Sequence, residues 1–241
     1  MRLFAGTSGF SYKGWKGPFY PEGLPQDEWL TFYSSKLSAV EINNTFYRMP
    51  KAQVMAQWAQ RVGPEFAFVI KASQRITHRQ RLRECADSVD YLWRALEPLG
   101  AHRGPLLFQL PPDFAADAER LRDFLAILPD ACRATFEFRH ESWATDEVHE
   151  CLAARDVALC FADSEEGEEE ETPALVACAS WGYLRLRRST YSDAELASWV
   201  ARIRAQAWKE VFVFFKHEDE GEAPRLALRF EAAFERAGDT S

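Results

Sequence analysis

Eight short runs rich in β-branched and aromatic residues recur along the chain: Arg2–Ser8, Ala39–Phe46, Phe66–Ala72, Pro105–Leu110, Arg133–Arg139, Val157–Asp163, Gly182–Arg187 and Glu210–Lys216. Each is followed by a turn and then by helical spacing of apolar residues, the pattern of βα units. The runs start roughly 24–39 residues apart, which is room for one strand, one helix and two short connections. No linker, composition shift or sequence repeat divides the 241 residues. The pattern predicts an α/β chain folded as a single (β/α)8 TIM-type barrel over residues 1–241. An open doubly wound sheet is the alternative, and the eightfold count favours closure.

Helix boundaries carry their own signals. Thr77-His78-Arg79-Gln80 and Ser192-Asp193-Ala194-Glu195 both fit a capping box, in which a hydroxyl and a Glu or Gln satisfy free amides at a helix start. Asp146 and Glu147 stand where a first helical turn favours negative charge. Two connections are long. Gly9–Pro25 is rich in glycine, proline and aromatics, including Tyr12 and Trp15, and a loop of that length points to function. Ser164–Thr172 reads SEEGEEEET, a solvated run of like charge to which no site is assigned.

The formal charge of −8 argues against a nonspecific polyanion binder. The cysteines are Cys85, Cys132, Cys151, Cys160 and Cys178, an odd set without a C-x-x-C pair. They suggest neither a disulfide framework nor a thiolate zinc site, and a reducing cytoplasm is the expected location. No apolar run is long enough to span a membrane, so no membrane partner is expected.

In a barrel of this kind, chemistry belongs at the carboxyl ends of the strands and in the loops that follow them. Polar residues gather at those ends. Strand two closes on Glu41, Asn43 and Thr45, which alternation puts on one face. Strand three closes on Lys71, strand four on Gln109, strand five on Glu137 and Arg139, strand six on Asp163, and strand seven on Arg185 and Arg187. Strand eight closes on Lys216 and His217, and His78 lies just beyond strand three. Buried singly, such charges cost several kcal/mol each, so they must pair across the barrel or line a wet mouth. Both a structural ion-pair network and a functional site containing Glu137 and an arginine are open. Lys71 reads first as an ion-pair partner of Glu41 and second as a Schiff-base amine. A divalent metal among Glu41, Glu137, Asp163 and a histidine is disfavoured by the arginines beside them, and no metal site is assigned. The basic stretch Gln74–Arg83 is a solvated helix start or an anion clamp at the rim.

Several motifs, taken in order, resemble those of the family called domain of unknown function 72, or YecE-like. They are Gly6-Thr7-Ser8-Gly9, Trp15-x-Gly17-x-Phe19-Tyr20-Pro21, Val40-Glu41-Ile42-Asn43-x-Thr45-Phe46-Tyr47, Phe66-x-Phe68-x-x-Lys71, Thr77-His78, Leu107-x-Gln109-x-Pro111-Pro112 and Glu137-Phe138-Arg139-x-x-Ser142-Trp143. The resemblance runs through nearly the whole chain and implies a TIM-type barrel without supplying a reaction. Glu41, Asn43, Lys71, Gln109, Glu137 and Arg139 follow the family pattern. Phe10, Arg187-Arg188 and Phe215-Lys216-His217 depart from it and make one side of the mouth more basic.

The residues therefore predict an acid–base enzyme with Glu137 as general acid or base and Glu41 as its partner. Arg139, Arg185, Arg187 and Lys71 bind an anionic group, Asn43, Gln109 and His78 orient the substrate, and Tyr12, Trp15 and Tyr47 form an aromatic wall or lid. The expected ligand is a small phosphorylated, carboxylated or sugar-like molecule. Hydrolase, lyase and isomerase chemistries are not separated, and neither a cofactor nor an oligomeric state is indicated. The alternative is a non-catalytic phosphate or nucleic-acid binding module that uses Arg75, Arg79, Arg185 and Arg187, with nucleic acid the less favoured partner.

Overall fold

Parallel strands joined by crossovers bury both faces of their sheet, and here the sheet closes on itself. A computed structural model of the chain describes residues 1–48, 51–163, 174–216 and 220–238. Strands β1 (Arg2–Ser8), β2 (Ala39–Ile42), β3 (Ala67–Lys71), β4 (Arg103–Gln109), β5 (Ala134–Glu137), β6 (Ala158–Ala162), β7 (Trp181–Leu186) and β8 (Glu210–Phe215) pair in sequence order. Parallel pairing of β8 with β1 completes the barrel. Helices α1 (Trp29–Ser34), α2 (Ala52–Ala59), α3 (Ala86–Ala95), α4 (Ala118–Ala126), α5 (Asp146–Ala153), α6 (Asp193–Arg204) and α7 (Glu222–Gly238) follow the strands. Among the described residues no helix lies between β6 and β7. The acidic run Ser164–Thr172 and His217 fall outside the described residues.

Alternation sorts the side chains into two cores. Phe4, Val69, Leu107, Cys160, Tyr183, Phe212 and Phe214 fill the barrel, and Phe68, Phe108, Phe136, Leu184 and Val213 face the helices. The last inward layer at the carboxyl ends is polar: Ser8, Glu41, Gln109, Glu137 and Arg185 are all buried. Gly6 sets the spacing of β1 against β2, since a Cβ there would lie 1.9 Å from the carbonyl oxygen of Ala39. No helix among the described residues is long and apolar enough to cross a membrane.

The local signals met different fates. Ser192 and Glu195 form their capping box, and Thr145 caps α5 ahead of Asp146 and Glu147. The box expected at Thr77 does not form. Arg75–Arg79 is a π-helical turn and α3 starts only at Ala86, because the buried Thr77 hydroxyl faces His78 Nδ1 and the Ser73 carbonyl. Strand β2 stops at Ile42 rather than Phe46. Asn43 turns helical, Asn44–Phe46 forms a 3-10 turn, and Thr45 leaves the expected face to donate to the carbonyls of Ile42 (2.9 Å) and Lys71 (2.6 Å). A hydroxyl that bonds nearby carbonyls competes with the strand ladder in this way. The long loop after β1 folds around its own aromatics: Trp15 and Tyr20 are fully buried, and Tyr20 stacks on Trp29 at 4.6 Å.

At the other end of the barrel, Glu231 on α7 accepts a hydrogen bond from the Ser38 hydroxyl at 3.2 Å. Burial pushes its carboxyl up to about 7, with Glu235 adding to the effect. In the unfolded chain the same group ionises near 4.3. The native state therefore loses stability as pH rises from the unfolded value through about 7. Glu231→Gln should exceed the native protein in stability by about 1–3 kcal/mol at pH ~8, with the difference closing at pH ~4. Urea denaturation at the two pH values measures this, and an equal gap at both would refute the assignment.

Candidate active site at the barrel mouth

The polar layer is one connected network. On one side the Glu41 carboxylate accepts from the Ser8 hydroxyl (2.8 Å), Asn43 Nδ2 (3.0 Å), the Tyr183 hydroxyl (2.6 Å) and Arg185 Nη2 (2.8 Å). Arg185 then donates through Nη1 to Glu137 Oε2 at 2.6 Å. The other oxygen of Glu137 accepts from Gln109 Nε2 (2.8 Å), Arg139 Nε (3.1 Å) and Arg187 Nη2 (3.1 Å). Gln109 extends the chain, its Oε1 accepting from Lys71 Nζ at 2.8 Å.

Burial alone would raise both carboxyls, and the guanidiniums reverse that. Glu137 is driven down to about 2 by Arg185, Arg187 and Arg139. Glu41 is also lowered, by Arg185 and by its hydroxyl donors. Arg185, buried between the two carboxylates, holds its proton more tightly than a free arginine. Lys71 moves the other way. Burial, aided by Arg185 and Arg139, lowers its amine to about 8 against the pull of Glu41 and Glu137. Its ammonium lies 4.2 Å from the centre of the Phe46 ring, and it makes no ion pair among the described residues. The expected Lys71–Glu41 pair is replaced by Arg185–Glu41, because the guanidinium forks between two carboxylates where an ammonium presents a point charge.

His78 packs edge-on against Phe46 at 4.9 Å and is held below its ordinary value by burial, Lys71 and Arg139. Asp163 stays apart from the two glutamates, accepting from the Tyr191 hydroxyl and the Arg187 amide, and burial raises its carboxyl. No cluster of three or more metal-ligating side chains occurs among the described residues. Of the three aromatics expected as a wall, Tyr12 and Trp15 pack on each other at 4.9 Å. Tyr12 donates to the Ser8 carbonyl at 2.7 Å, Trp15 is withdrawn into the loop's core, and Tyr47 is 76% exposed beside Phe46. Arg75 and Arg79 lie exposed on the π-helical turn. A cavity of about 550 Å³ opens on the β5–β7 side of the mouth, lined by Glu137, Arg139, His140, Asp163 and Arg187 among others.

Ser8 and Phe46, which stand in the sequence motifs without an expected role, and Tyr183, which stands in none of them, also belong to this site. Tyr183 could have been singled out, since it lies two residues before Arg185 on the same inward face.

Comparison with known proteins identifies the family. Residues 4–240 fit the model of the family described as "Protein of unknown function DUF72". The chain belongs to this family. It is similar to the UPF0759 protein YecE of Escherichia coli K12, at 31% identity over 129 residues, which is 49% of the chain and 47% of that protein. The match thus spans about half the length of that curated relative. Similarity to the UPF0759 protein YunF of Bacillus subtilis is 24% over 235 residues, covering 90% of the chain and 79% of the relative. Among solved structures, the DUF72 protein TM1631 of Thermotoga maritima superposes with a TM-score of 0.85 at 26% identity, covering 98% of this chain and all of that one. A DUF72 protein of Enterococcus faecalis shares the fold, at TM-score 0.78 and 18% identity over 97% of this chain and 95% of that one.

Arg185→Met would leave two buried carboxylates short of the cation that joins them. The expected loss is about 3–5 kcal/mol near neutral pH. The depressed Glu137 carboxyl contributes stability above the unfolded glutamate value that is lost as pH falls through about 2, so the variant's deficit should shrink in acid. Urea denaturation across acid to neutral pH tests this. A variant as stable as the native protein would show that the ion pairs do not hold the mouth together.

Proposed function

We propose that this DUF72 protein is an enzyme that holds a small phosphorylated, carboxylated or sugar-acid substrate on Arg139 and Arg187 and moves a proton at Lys71. The observation that carries the reading is the convergence of three guanidiniums, those of Arg139, Arg185 and Arg187, on the single carboxylate of Glu137. Positive charge in a partly dry pocket attracts an anion more strongly than the same charge on a wet surface. Arg139 and Arg187 are the more accessible of the three, with side-chain exposures of 38% and 21% against 4% for Arg185.

The ion pairs also favour a division of labour different from the one expected of the glutamates. A carboxyl held at about 2 is ionised throughout the neutral range and has little tendency to take a proton, so Glu137 serves best as the group that aims Arg139 and Arg187. Lys71, at about 8, exchanges its proton near neutrality and suits general-base work. Asn43 and Gln109 keep the orienting role, with Gln109 coupling Lys71 to Glu137. The nucleic-acid clamp is supported less well, because Arg185 is buried and both its terminal nitrogens are bound to glutamates.

Thermal denaturation in the presence of inorganic phosphate, sugar phosphates and small carboxylic acids tests the binding half. The native protein should gain several degrees, and Arg139→Met or Arg187→Met should lose most of that gain. For any substrate so found, Lys71→Met should bind within about threefold of native while losing turnover by at least about 100-fold. The native rate should rise with pH through about 8. Turnover retained by Lys71→Met would overturn the role of the lysine. Binding of single-stranded or duplex DNA that weakens steeply with salt would favour the clamp instead.

A further inference from the structure

We propose that Lys71 forms an imine, its amine condensing with the carbonyl of a small oxo-acid or oxo-phosphate whose anionic end rests on Arg139 and Arg187. This rests on the anion site of the reading above and gives Lys71 a covalent role in place of the general-base role.

The surroundings of Lys71 differ from those of a structural lysine. A half-buried ammonium ordinarily sits against a carboxylate, since its desolvation is otherwise uncompensated. Here both nearby carboxylates are taken up by guanidiniums, and the amine donates to a neutral amide oxygen, Gln109 Oε1. The neutral amine retains a hydrogen for that bond and also exposes a lone pair. The Phe46 ring covers one side of the amine, and the charges of Arg139 and Arg185 bear on it. Desolvation and adjacent cations are the two conditions that make a lysine nucleophilic near neutral pH. One amide group separates the amine from the carboxylate that holds Arg139 and Arg187. A molecule only a few atoms long, with a carbonyl at one end and an acid group at the other, matches that arrangement.

The step balances without an oxidant or a metal. The Nζ lone pair forms the new C–N bond and the carbonyl π pair moves to oxygen; nitrogen then gives up one proton and oxygen takes one, leaving a neutral carbinolamine. That hydroxyl leaves as water after a second protonation, and nitrogen loses its remaining excess proton as the C=N bond closes. One amine and one carbonyl yield one imine and one water. His78, packed on the same Phe46 ring and shifted toward its neutral form, is placed to take a proton in the later step. Protonated at nitrogen, the imine withdraws electrons from the adjacent carbon, which serves lyase and isomerase chemistry alike.

The experiment uses the full chain with three probes: pyridoxal 5′-phosphate, pyridoxal without its phosphate, and pyruvate as a smaller oxo-acid. Imine formation is read from absorbance for the pyridoxal compounds. For all three, the adduct is fixed with borohydride and located by peptide mass spectrometry. Lys71 should be the preferred site for pyridoxal phosphate over exposed lysines such as Lys13 and Lys209, and at least about 10-fold better labelled than with pyridoxal. Inorganic phosphate should compete, Arg139→Met should remove the preference, and Lys71→Arg should fold without labelling. Labelling spread evenly over surface lysines, or preference unchanged in Arg139→Met, overturns the proposal. Phosphate that raises the melting temperature while neither pyridoxal phosphate nor pyruvate labels Lys71 overturns the imine and leaves the anion site standing. Loss of both effects removes both.

Discussion

The bifurcated contact of Arg185 with Glu41 and Glu137 is the constraint on which the rest of the mouth depends. It joins β7 to β2 and β5 across the barrel. Without it, two carboxylates in the innermost polar layer would face each other's charge out of reach of water. With it, both remain ionised at low cost, and each becomes a fixed point for other donors. Ser8, Asn43 and Tyr183 fasten to Glu41, and Gln109, Arg139 and Arg187 fasten to Glu137. The aromatic packing beneath, from Phe4, Phe212 and Phe214, gives this layer a dry floor that strengthens every one of these interactions.

The proposed chemistry inverts the roles expected of these residues. Two carboxylates at the carboxyl end of a barrel invite assignment as an acid–base pair. Their partners lower both, and a deeply ionised carboxylate favours holding cations over shuttling protons. The group poised near neutrality is the lysine that the arginines displaced from Glu41. Arg185 thereby does two things: it satisfies the glutamates, and its charge helps weaken the hold of Lys71 on its proton.

Much of this was legible in the sequence, for identifiable reasons. Eight βα units leave a strong periodic signal, and strand alternation brings Glu137 together with Arg185 once closure is assumed. Partner choice was not legible, because it depends on which of several cations can fork between two carboxylates, a property of three-dimensional spacing. Thr45 and Thr77 were misread for one shared reason: a buried hydroxyl bonded to local carbonyls, ending a strand in one case and replacing a capped helix with a π-helical turn in the other. Trp15 looked like part of a functional wall and is the centre of a loop that packs on itself, a distinction that composition does not carry.

Held by Arg185, Arg187 and Arg139, Glu137 stays ionised and serves to anchor arginines rather than to exchange protons. Titration of the Glu137 side-chain carboxyl by carbon-13 NMR, assigned against Glu137→Gln, measures this directly. No titration of that resonance is expected through the ordinary glutamate range near 4.3, with the midpoint displaced toward about 2. A midpoint at or above the ordinary value would show that the arginines do not hold Glu137 ionised and would return it to the position of proton donor.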